Sequence, residues 1–87
     1  MEEQIITLFP SQEKWIVSYY NDEDIVHFNY SDALHAMGLL AKEILRVFKA
    51  PVRTQIKDQK KNIVRESFLY PHGYIYYKDR MVQTRFL

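Results

Sequence analysis

Eighty-seven residues suffice for one domain with a modest core, not for two. The absence of cysteine excludes disulfides, thiolate chemistry and cysteine-ligated zinc or iron–sulfur centres, and it favours a reducing, cytoplasmic setting. A net charge of +1 conceals a sorted distribution. Residues 1–41 carry seven acidic side chains against Lys14 alone, and residues 42–65 carry eight basic ones against Glu43 and Asp58.

Gln4-Ile-Ile-Thr-Leu-Phe9 predicts a short strand ended by Pro10. Over residues 14–20, Trp15, Val17 and Tyr19 alternate with Ile16, Ser18 and Tyr20, a period of two in aromatic and β-branched residues that predicts a second strand. Asn21-Asp22-Glu23-Asp24 supplies a polar turn. Residues 25–30 alternate again, with Val26, Phe28 and Tyr30 on one face, and complete an antiparallel three-stranded meander.

Ser31-Asp32 then offers oxygen acceptors and a negative charge for a helix N-terminus. Leu34, Met37, Ala41, Ile44 and Phe48 follow at spacings of three and four, widened by Leu40, Leu45 and Val47, so an amphipathic helix is expected over about 32–49. Gly38 lowers helix propensity and is expected to let the helix approach the sheet closely. Pro51 stops the helix near Lys49. Over residues 52–66 periodicity does not decide, since Val52, Thr54 and Ile56 alternate like a strand while Val52, Ile56 and Ile63 also fit helical spacing. The favoured reading of the remainder is a β-hairpin-rich segment packing with the sheet: strands over 52–56 and 63–70, a turn at Pro71-His72-Gly73, a strand over 74–77, and a last one over 81–86. The fold class is therefore a small, single-domain α+β architecture covering residues 1–87. No apolar run is long enough to cross a bilayer, and Met-Glu-Glu is the opposite of a basic signal-peptide start, so no membrane partner is expected.

Catalytic and metal chemistry find little to use. His27, His35 and His72 are dispersed, and Asp32 with His35 gives only two ligands on one helix face. Ser11, Ser18, Ser31 and Ser67 stand in no nucleophile context, and two glycines cannot build a phosphate-cradling loop. The chain is expected to be neither an enzyme nor a cofactor carrier.

The sorted charges point instead to binding. Lys42, Arg46, Lys49, Arg53, Lys57, Lys60, Lys61 and Arg65 form a candidate basic pole, and Asp22, Glu23 and Asp24 a candidate acidic one. Tyr70, Tyr74, Tyr76 and Tyr77 are candidate aromatic contacts. These features imply a small interaction protein, a regulator, adaptor or inhibitor of a larger protein or nucleoprotein machine, in the style of phage or mobile-element accessory proteins. Charge would steer the encounter and aromatic side chains would hold it. Direct nucleic-acid binding through residues 42–65 is the alternative. A small open sheet also leaves unpaired edges, a route to a homodimer.

Overall fold

A computed structural model describes residues 3–19, 24–71 and 73, and the backbone of residues 75–79. Its strands are β1 (Gln4–Ser11), β2 (Lys14–Tyr19), β3 (Ile25–His27), β4 (Val52–Lys57), β5 (Ile63–Leu69) and β6 (Ile75–Asp79), and its helix is α1 (Tyr30–Phe48). Among the described residues the strands form one sheet in the order β3-β2-β1-β4-β5-β6. The sheet is mixed. Neighbours pair antiparallel on either side of its centre, but β1 and β4 run parallel from Gln4↔Val52 to Leu8↔Ile56. Because β3 and β4 point the same way, α1 must carry the chain back along the sheet between them. The expected strand over 81–86 lies outside the described residues.

These pairings give the sheet two ends. The near end holds the starts of β1 and β4 and the end of β5. The far end holds the β1–β2 turn, the start of α1 and the β4–β5 turn.

The boundaries differ from the sequence expectation for identifiable reasons. β1 continues through Pro10 to Ser11, because its pairing with β4 ends at Leu8 and no ladder bond there needs a proline N–H. The β1–β2 connection is a two-residue turn in which Gln12 and Glu13 both adopt positive φ, 51° and 65°, a conformation that neither residue type announces. The strand expected over 25–30 stops at His27 because Asn29, not Ser31 or Asp32, caps the helix. Asn29 Oδ1 accepts from the Asp32 backbone N–H at 2.8 Å, and Asn29 Nδ2 donates to the Asp32 carboxylate at 2.9 Å. This reciprocal clasp starts α1 at Tyr30 rather than residue 32. At the other end Lys49 turns left-handed, its N–H bonds to the Leu45 carbonyl, and the helix ends at Phe48.

α1 lies on one face of the sheet, packed against β1, β2, β3 and β4. Ala33, Met37, Ala41 and Ile44 are its buried stripe, set on Ile6, Leu8, Val17, Val52 and Ile56. Tyr30 meets Trp15 edge-to-face, with ring centroids 4.9 Å apart, and fixes the helix start over β2. Val47 and Phe48, expected in the apolar stripe, are half-exposed in the last turn, and Leu39 is exposed on the outer side.

Candidate functional site

The helix does not cover the whole of its own side of the sheet. Where it leaves β5 uncovered, a groove of about 480 Å³ opens, lined by Leu34, Met37, Gly38 and Ala41 from α1 and by Ile56, the buried Glu66 and Leu69 from the sheet. Thr54 and Ser67, directly paired across β4 and β5, join their hydroxyls on its floor. Lys42 and Arg65 stand along it. Such a cavity suits a few side chains of a partner.

Gly38 sits in this lining, and not where the sequence suggests. A Cβ added to Gly38 would meet no heavy atom within 4 Å, so close helix–sheet approach is not what holds a glycine there. A mid-helix glycine costs about 0.5–1 kcal/mol relative to alanine. The fold gains no packing from that cost; the groove gains room.

The eight basic residues do not form one pole. Lys42, Arg46 and Lys49 lie along the flank of α1 that meets Pro71, at the near end. Arg46 is clasped by Glu43 through two guanidinium nitrogens, Nη2 donating to one carboxylate oxygen and Nε to the other at 3.2 Å. That contact holds the Glu43 carboxyl below its usual range and raises the Arg46 guanidinium. Arg53 lies on the opposite sheet face, 3.1 Å from Glu3 and with its guanidinium carbon 5.1 Å from the Phe68 ring centroid. Lys57, Lys60 and Lys61 gather at the far end, one strand length of about 17–20 Å from Lys49. Arg65 belongs to the groove.

The far-end turn is built on Asp58. Its carboxylate accepts the N–H groups of Lys60 (2.8 Å) and Asn62 (2.9 Å), its backbone N–H donates to the Asn62 carbonyl, and Lys61 takes φ 68°. The Asn62 N–H, then that of Lys60, holds the Asp58 carboxyl below its usual range despite an opposing desolvation cost.

Of the acidic candidates, Asp24 is exposed just before β3, and Asp22 and Glu23 lie outside the described residues. Tyr70 is half-buried in the turn after β5, whose Gly73 adopts φ 93° and donates to the Tyr70 carbonyl. Tyr74 lies outside the described residues. Tyr76 and Tyr77 occupy the register positions opposite Phe68 and Ser67. Among the described residues no group of three His, Cys, Asp or Glu side chains converges on a metal-sized site, and no helix is long and apolar enough to cross a membrane.

The sequence expectation missed Phe28, 80% exposed beside the edge strand β3, with the Lys14 ammonium 5.6 Å from its ring centroid. It also missed the groove, for which the glycine in mid-helix was the one available signal. No protein-family model, curated protein or solved structure matches this chain.

Proposed function

We propose that the chain is a non-enzymatic interaction protein, a regulator or adaptor of a larger protein machine. In this reading it holds an acidic segment of its partner by an apolar anchor side chain in the groove between α1 and β5. The observation that carries this is Gly38: helix stability is given up at a position where the space left behind belongs to the groove. The sign of the partner follows from the cations at the groove, Lys42 and Arg65, with Lys49 further along α1; the charge of Arg46 between them is offset by Glu43.

The test uses an acidic peptide with one central tryptophan, followed by amide NMR shifts of the full chain. Shifts confined to Gly38, Ala41 and Ser67, lost in Gly38→Leu, are the expected result. Gly38→Ala should raise stability by about 0.5–1 kcal/mol while weakening the peptide. Equal binding of a lysine-substituted peptide, or undiminished binding by folded Gly38→Leu, would refute the reading.

A further inference from the structure

The face of the sheet opposite α1 carries its own cleft. Because Ile6 and Leu8 are buried under the helix, their neighbours Ile5, Thr7 and Phe9 belong to the other face. The register sets Phe9 beside Ile16, and Ile16 beside Val26, in an apolar row across β1, β2 and β3. At the far end of this face the β4–β5 turn borders β1 and encloses about 490 Å³. Phe9 and Pro10 supply an apolar wall, Thr7, Ser11 and Ser18 supply hydroxyls, and Lys57 and Lys61 supply ammonium groups.

Charge at this cleft is unbalanced. Neither Lys57, Lys60 nor Lys61 makes a salt bridge among the described residues, whereas Arg46 and Arg53 each have one. The one carboxylate lining the cleft, Asp58, already accepts two backbone N–H groups and feels Lys60 through space. Three like charges within five residues repel one another, and the fold does not need them: the turn is held by Asp58 and the backbone. A ligand rich in negative charge would relieve that repulsion.

We propose that this far-end cleft binds single-stranded nucleic acid, with phosphates at Lys57, Lys60 and Lys61, one base against Phe9, and sugar hydroxyls or base edges at Thr7, Ser11 and Ser18. Cationic side chains beside an aromatic ring on an open sheet are what a single strand requires, since it offers both phosphates and unstacked bases. A duplex keeps its bases stacked and has nothing to place against Phe9. The proposal is independent of the groove beside α1, which lies on the other face of the sheet. Together the two sites would fit a regulator of a nucleoprotein assembly.

Fluorescence polarisation of the intact chain with an oligothymidylate of about ten nucleotides, at low salt near 50 mM and again near 200 mM, tests this. A duplex and a polyglutamate of matched charge serve as competitors. The single strand should bind best. Changing Lys57, Lys60 and Lys61 together to Ala should weaken it at least about tenfold at low salt and flatten the slope of log affinity against log salt by about 2. Phe9→Leu should weaken the single strand while leaving that slope unchanged. Absence of binding at low salt, an undiminished triple variant, a preference for the duplex, or equal affinity for polyglutamate would each overturn the assignment.

Discussion

Ile5 and Ile6 are chemically identical neighbours on opposite faces of one sheet, and their fates differ. Ile6 is fully buried beneath α1, whereas Ile5 lies half-buried on the uncovered face, in register with Arg53 and thence with Phe68. The covered face carries the core; the uncovered one carries a row of apolar side chains, a stacked arginine and a turn of lysines. Among the described residues one helix covers one face of the sheet, and the second face carries its own chemistry.

The contrast can be broken most sharply at those two residues. Ile6→Ala should cost about 2–5 kcal/mol, because it empties a site that the helix cannot follow, and Ile5→Ala only about 1 kcal/mol. Urea unfolding of both variants measures the difference; equal losses would mean that the open face is packed as tightly as the core.

A smaller effect is expected at the clasp that sets the helix over its face. Asn29→Ala removes the acceptor for the Asp32 N–H and should cost about 1 kcal/mol, with Asn29→Asp retaining most of the stability. Thermal melts distinguish the two, and an unchanged Asn29→Ala would return the cap to Ser31 or Asp32.

The smallest effect belongs to the far-end turn of the open face. The Asp58 carboxyl is lowered in the folded chain, so its contribution is present at neutral pH, above its unfolded value, and is lost as pH falls through its folded value. The amides of Lys60 and Asn62 should therefore titrate together below the usual aspartate range, with α1 still intact. A midpoint at or above that range, read by amide NMR, would remove Asp58 as the organiser of the turn.

The elements themselves were legible in the sequence wherever periodicity decides. Alternation gave β2, three-and-four spacing gave α1, and Pro51 gave its end, whereas Val52, Ile56 and Ile63 suit a helix as well as a strand, so β4 was favoured but not decided. Asn29 was hidden because Asn29, Ser31 and Asp32 all suit a cap, and only the path of the chain leaving β3 selects among them. The parallel seam of β1 with β4 was hidden because alternation within a strand carries no information about its neighbour. The candidate sites inherit that gap. Lysine and arginine were visible as charge, but it is the pairing of the strands that sends Lys49 to one end, Lys57 and its turn to the other, and Arg53 to the opposite face. Gly38 was visible as a weak helix residue, but its meaning depends on the empty space beside it.

The seam between β1 and β4 joins Gln4 to Val52, with β2, the edge strand β3 and the whole of α1 intervening. During synthesis on the ribosome, β1 emerges long before its central neighbour exists, and its inner edge waits unsatisfied while local hairpins and helix turns form within microseconds. Zipping that seam demands the longest loop closure in the described fold, so it should set the pace of folding for a protein this small.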